Sequence, residues 1–285
     1  MQPDPRRLRQ VAANALFHAA LWIAGSIGIA VPLGIVLYLF SHAGNILHPA
    51  FLLDYLRGSP LGSSGGILPA IAGSASLAGT GFLVAFPCAV GAATFLVEFV
   101  RSERLVAAFL LVAESLAAVP SIVYGLFGYA FFVVLCGMGT SLLAGGLVLA
   151  LVMFPILLIT AHASFQAVSG EFREATFSLG VDRTEWIFRV LFPKAASRVL
   201  AGVVLAVGHA MGSAAPVLFT AAVFFSRGDL RLDRPVMTLP THLYFLVSEG
   251  VSLGNAYATA TVLVLMLLAF NISAMALRRA AQENE

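Results

Sequence analysis

Apolar runs long enough to cross a bilayer recur along this 285-residue chain, and charged residues gather between them. The runs predict transmembrane helices near 16–40, 68–97, 119–138, 141–162, 197–225 and 255–277, each with room for the roughly 20 residues that a helix needs to cross the hydrocarbon. Between the fourth and fifth runs the pattern changes. Phe172, Ala175, Thr176 and Leu179 recur at i, i+3, i+4 and i+7, which places one apolar face on a short helix and leaves Glu171, Arg173 and Glu174 on the other side. Gly180 can take the left-handed conformation just past a helix C-terminus, so the chain turns there. Asp182 is a good N-cap with Glu185 three residues on, and Trp186, Ile187, Val190 and Leu191 supply the next apolar face. Pro193 fits the first turn of the fifth span. The expected product is an elbow of helix, glycine turn and helix, although an amphipathic hairpin lying on the membrane surface would share this patterning.

Composition excludes a soluble enzyme: 60% of residues are hydrophobic and 11% charged, with a mean hydropathy of +0.95. The net charge of +2 says little about partners, whereas the position of the basic residues sets orientation. Arg6, Arg7, Arg9, Arg101, Arg104, Arg173, Arg183, Arg189, Lys194, Arg198, Arg278 and Arg279 all fall on one side of the predicted spans. That side is predicted to be the cytoplasm, with both termini inside, 163–196 as a cytoplasmic loop and 226–254 as a periplasmic one. Arg57, Arg227, Arg231 and Arg234 lie opposite. The 16–40 stretch is too long for a signal-peptide core and no clear A-x-A site follows it, so it is kept as a first span. Cys88 and Cys136 sit within apolar runs and are expected to be small core residues with no redox role. His42, His48 and Asp54 show no metal-ligand spacing and are read as a solvated loop.

Two stretches bear on chemistry. At the start of the third span, Pro120 favours an N-terminal helical position, while Ser121, Tyr124, Gly125 and Gly128 bring hydroxyls and small residues to one region. A helix beginning there would direct free amides inward as a lining for an oxyanion path. Alternatively, Gly125 and Gly128 only permit close helix packing. A phosphate-binding P-loop needs G-x-x-x-x-G-K-[ST], and the single lysine, Lys194, follows Phe192-Pro193, so nucleotide hydrolysis would fall to another subunit. Gly62-Ser63-Ser64-Gly65 matches a short G-x-S-G pattern and raises an intramembrane serine protease as a remote alternative, but its Gly/Ser-rich loop context explains it as a turn.

Counting from Glu174-Ala175, Gly180 is seventh and Pro193 twentieth. This spacing resembles the cytoplasmic EAA loop of ABC importer permeases, with Thr176 in place of the third alanine, Val190 of an isoleucine and Phe192 of a leucine. Val119 to Gly128 (VPSIVYGLFG) and Ala93 to Val100 (ATFLVEFV) resemble the phosphate-specific permeases, A-type subunit, over roughly Gly65 to Thr220. The resemblance implies an all-α polytopic membrane protein of six transmembrane helices with the type I ABC importer permease fold. It also implies phosphate import across the bacterial inner membrane with two ATP-binding subunits, a homologous second permease and an extracytoplasmic phosphate-binding protein. No cofactor, metal or nucleic acid is implied. Coupling to the ATPase would rest on Glu174, Ala175, Gly180, Val190 and Pro193, and the translocation path on Ser121, Tyr124, His209 and Ser213. Where the family carries an Arg-x-x-Gly-Glu-Thr-Ala-Pro-like segment, this chain reads His209-Ala-Met-Gly212-Ser213-Ala214-Ala215-Pro216. Both charges are absent. His209 could replace the arginine when protonated, or sit neutral between helices, and a molybdate or sulfate permease is the alternative within transport.

Overall fold

In the computed structural model, which describes residues 5–60, 62–168, 170–225 and 230–283, helices occupy all six predicted stretches. In order they are α1 (Pro5–Ala43), α2 (Pro49–Leu53), α3 (Leu68–Glu98), α4 (Glu103–Ala117), α5 (Ser121–Gly128), α6 (Leu142–Gln166), α7 (Gly170–Ser178), α8 (Arg183–Trp186), α9 (Phe192–Met211), α10 (Ala215–Thr220), α11 (Leu239–Ser248) and α12 (Leu253–Glu283). A two-residue hairpin, β1 (Leu56–Arg57) against β2 (Ser64–Gly65), stands before α3. Among the described residues five helices are long and apolar enough to cross a membrane, or six if the bent pair of α4 with α5 is counted as one span. Arg227 lies outside the described residues, as do the side chains of Arg6, Arg7, Arg9, Arg278 and Arg279.

The centre is the pairing of α3 with α6, onto which α9 packs. Small residues let these helices approach. A side chain at Gly146 would meet the Thr80 methyl at 2.6 Å, and one at Gly81 would meet the Gly146 carbonyl at 3.0 Å. Leu77, Leu149, Met153 and Leu157 fill the seam. In the most apolar window of α6, 67% of residues are buried, against none in that of α1, which packs on α12. At the other end of α6, its first amides are all satisfied. Ser141 N donates to Thr220 O at 3.0 Å, Leu142 N to Arg234 O at 2.8 Å, Leu143 N to Leu232 O at 3.0 Å and Ala144 N to the Ser141 hydroxyl at 3.2 Å. Those bonds tie the 230–236 segment onto the helix end.

The spans near 119–138 and 197–225 differ from expectation. Helix α4 occupies a stretch read as loop, and it meets α5 at a 91° bend. Pro120 explains the break, since it has no amide hydrogen and its ring crowds the carbonyl four residues back, that of Leu116. This carbonyl instead accepts the Tyr124 hydroxyl at 2.8 Å and the Val119 amide at 3.0 Å. The fifth span begins earlier and ends sooner than 197–225. Helix α8 runs through π-helical turns at Ile187–Leu191 directly into α9, so Arg183–Met211 is one span. Gly212 to Ala214 interrupt it before α10, and 221–225 are not helical. Cys88 and Cys136, expected in the core, both lie unpaired on the chain's outer surface. His48 accepts the Phe51 amide at 2.9 Å as the N-cap of α2, and Asp54 pairs with Arg57 at 3.0 Å. These residues thus have structural partners in what was read as a solvated loop.

Replacing Gly146 by leucine should destabilise the protein by about 1–3 kcal/mol through overpacking of the α3–α6 seam. A lowered thermal unfolding midpoint in detergent checks this, while Gly79→Leu, where a side chain would meet nothing, should leave that midpoint unchanged.

Candidate functional site

The elbow is built from local chemistry. Helix α7 ends as the Gly180 amide donates to Phe177 O at 3.0 Å, and Gly180 itself has φ +76°. Nothing lies within 4 Å of where its side chain would be, so conformation alone asks for glycine. Asp182 then starts α8, its carboxylate accepting the Thr184 amide at 3.1 Å. The π turns that follow place the Phe192 amide on the carbonyl of Ile187. They widen the ladder just before Pro193, whose ring would otherwise crowd the Arg189 carbonyl. Trp186, Ile187 and Leu191 are buried as expected and Val190 is half-buried, whereas Glu174, Ala175 and Pro193 are exposed.

The apolar face expected on α7 turns outward. Leu179 is 84% exposed and Phe172 is 52% exposed, with the Lys194 ammonium 5.1 Å from the Phe172 ring. Phe177, outside the predicted stripe, is the ring that packs inward, 5.9 Å from Trp186. The reason is a residue that the sequence reading did not single out. Glu98, the last residue of α3, is buried with its side chain 1% exposed. Arg173 Nη2 donates to its Oε2 at 3.0 Å, and Trp186 Nε1 donates to its Oε1 at 3.0 Å. A carboxylate removed from water has to be compensated by charge and hydrogen bonds. That requirement, rather than apolar periodicity, chooses which side of α7 faces the bundle. The available sequence signal was a lone carboxylate closing an apolar run.

The four path residues fall into two groups. Ser121 is half-buried in the first turn of α5, and Tyr124 braces the α4–α5 bend with its hydroxyl. Gly125 backs onto Ala215 and Pro216, and Gly128 onto Val148, so both glycines serve close packing. Ser213 lies in the break between α9 and α10, donating to the His209 carbonyl at 2.8 Å, while His209 is exposed. Helix α5 therefore runs beside the break that holds Ser213. Ser64, the protease candidate, is exposed in β2, paired with Arg57.

The elbow thus joins α6 to α9 within a bundle of apolar spans. The profile of the family described as "binding-protein-dependent transport system inner membrane component" matches residues 81–283. The chain belongs to that family. It is 33% identical to the phosphate transport system permease protein PstA of Haemophilus influenzae, over 79% of this chain and 80% of that protein. It is 28% identical to the probable ABC transporter permease protein YqgI of Bacillus subtilis, over 94% and 95%. Among solved structures it resembles a chain of a bacterial ABC transporter that imports alginate (TM-score 0.63, 14% identity, 96% and 99% covered). It also resembles a chain of the inward-facing MetNI methionine ABC transporter (TM-score 0.59, 16% identity, 76% and 94% covered). The fold is that of a type I ABC importer permease, multi-pass and helical.

Within this permease elbow, the Thr184 amide, with its hydroxyl and the Arg183 amide, holds the Asp182 carboxyl below the usual carboxylate range. A lowered folded-state pKa means the cap's contribution is present above the unfolded value and is lost as pH falls through the folded one. Once exchange rates are corrected for their intrinsic pH dependence, the protection of amides 183–186 should therefore fall as the buffer drops below the carboxylate range. In Asp182→Asn this acid-specific loss of protection should be absent.

Proposed function

We propose that this chain is a permease subunit of an ATP-driven importer of inorganic phosphate. The observation that carries the reading is the similarity, at about 30% identity over most of the chain, to proteins named as phosphate transport system permeases. The elbow supports the coupling half of it. Gly180 and Asp182 shape the turn, and Phe172, Glu174 and Leu179 are offered outward to a groove on a separate ATPase subunit. In this reading Glu174, Ala175, Gly180, Val190 and Pro193 receive the movement. The break at 212–214 lets the neighbourhood of Ser121, Tyr124, His209 and Ser213 respond. The working assembly has two ATP-binding subunits, a homologous second permease and an extracytoplasmic phosphate-binding protein. The solved alginate importer in complex with a substrate-bound periplasmic protein illustrates that kind of arrangement for its own substrate. The setting is the bacterial cytoplasmic membrane, with both termini and 163–196 inside and 226–254 outside.

A second reading, import of another oxyanion such as molybdate or sulfate, is favoured by one feature. His209 and Ser213 stand where the resembled permeases carry charges, so anion selection here rests on hydrogen-bond donors and on the partner permease.

Uptake of radiolabelled phosphate into cells expressing the complete transporter tests the substrate. Competition by unlabelled phosphate but not by molybdate or sulfate is expected, and the reverse order would transfer the assignment to the other oxyanion. Gly180→Val forces a β-branched residue to positive φ at a strain of about 1–2 kcal/mol, and it should abolish uptake while the protein still reaches the membrane. Orientation is read separately in a background lacking Cys88 and Cys136. An impermeant thiol reagent added outside should label Ser248→Cys and leave Asp182→Cys unlabelled, and labelling of the latter would invert the topology.

A further inference from the structure

Glu98 accepts one hydrogen bond from each arm of the elbow. Its Oε2 takes Arg173 of α7 and its Oε1 takes Trp186 of α8, both at 3.0 Å. Between these arms stands Gly180, around which there is open space, so packing at the turn does not hold its angle. The arms also touch through the Phe177 and Trp186 rings, and the Arg173 guanidinium lies 5.8 Å from the Phe177 ring. Arg183 adds a second link, its guanidinium 5.0 Å from the ring of Phe99, the residue after Glu98. Both arms are thus referred to one point, the C-terminal end of α3.

We infer that Glu98 is a positioning residue that fixes the angle of the elbow and hands its displacement to α3, in addition to the covalent route through α9. The inference rests on the coupling role proposed for the elbow. Separating a side chain that is 1% exposed from either donor would leave a buried acceptor without its partner. Movement of α7 or α8 therefore carries the end of α3 with it. Helix α3 packs along α6 for its length, so the displacement enters the centre of the bundle. A cleft of about 540 Å³ lies between this unit and α4, bordered by Glu98, Arg173 and Trp186 themselves and by Glu103, Val106 and Leu110 of that helix. The cleft gives the latched unit room to shift toward α4 without breaking close packing there.

The test uses the complete transporter, with its ATPase, second permease and phosphate-binding protein, in proteoliposomes, and reads ATP hydrolysed per phosphate imported. Glu98→Gln keeps the size and one acceptor oxygen but removes the charge, and should raise this ratio about fivefold or more, the lower end of ordinary coupling energies, with unchanged subunit assembly. Trp186→Phe, which removes one arm's bond and keeps the ring, should raise it by a smaller factor. A wild-type ratio in assembled Glu98→Gln overturns the inference. If Glu98→Gln does not assemble, Arg173→Gln, on the half-exposed side of the pair, is read instead, and a wild-type ratio there overturns it equally. Gly180→Val in the same assay separates the two readings. Loss of coupling in Gly180→Val but not in Glu98→Gln removes only the role of Glu98, whereas normal coupling in Gly180→Val removes the elbow reading itself.

Discussion

Inside an apolar medium, every amide and carbonyl that a helix break releases has to find another partner, and the architecture of this chain follows from how that is met. At the α4–α5 bend, the Leu116 carbonyl that Pro120 cannot engage receives the Tyr124 hydroxyl from the following helix. Where α6 begins, the carbonyl of Thr220 at the end of α10 and those of Leu232 and Arg234 take its first amides, and the Ser141 hydroxyl takes the next. Ahead of Pro193 the chain widens to π-helical turns and does not break, so one continuous helix runs from the elbow to Met211. Each solution places an interruption at a defined point and holds it there. The bend, the 230–236 segment and the elbow are consequently fixed features of the backbone.

A second constraint is electrostatic and acts at one point. Burying the Glu98 carboxylate at the end of an apolar helix is unfavourable unless donors surround it, and the donors come from the two arms of the elbow, 75 and 88 residues away in sequence. The same contacts leave Phe172 and Leu179 facing away from the bundle. An amphipathic helix whose apolar side chains are turned outward by its own salt bridge is suited to bind something else. A single ion pair, buried on its Glu98 side, therefore organises both the inner anchorage and the outer surface of the elbow.

Much of the remaining surface is apolar as well. Along α1, α4 and α5 the side chains of Trp22, Phe109, Leu126 and Phe127 are exposed, in keeping with helices that meet lipid or other subunits in a multi-pass membrane protein. Close packing is concentrated instead where glycines permit it, between α3 and α6 and where α5 meets α10. The chain thus has a dense centre and open flanks, the form expected of one subunit of an assembly.

Composition and pattern by themselves determined that the chain is a membrane protein, where its apolar helices lie, and that a glycine turn capped by Asp182 stands between two helices. Those properties depend on neighbours along the chain: apolar run length, the positive φ available at Gly180, and the reach of an aspartate to the next turn. Only the tertiary structure decided the rest. It showed α4 as a helix, because a 15-residue amphipathic segment carrying Glu103, Arg104 and Glu114 is too short and too polar to register as a span by itself. It assigned the Tyr124 hydroxyl to the bend, Cys88 and Cys136 to the outer surface, and the inward side of α7 to Phe177 in place of Phe172 and Leu179. Above all it placed Glu98 between Arg173 and Trp186. Local periodicity cannot report such a contact, because the free energy that determines it comes from compensating a buried charge across distant segments of the chain.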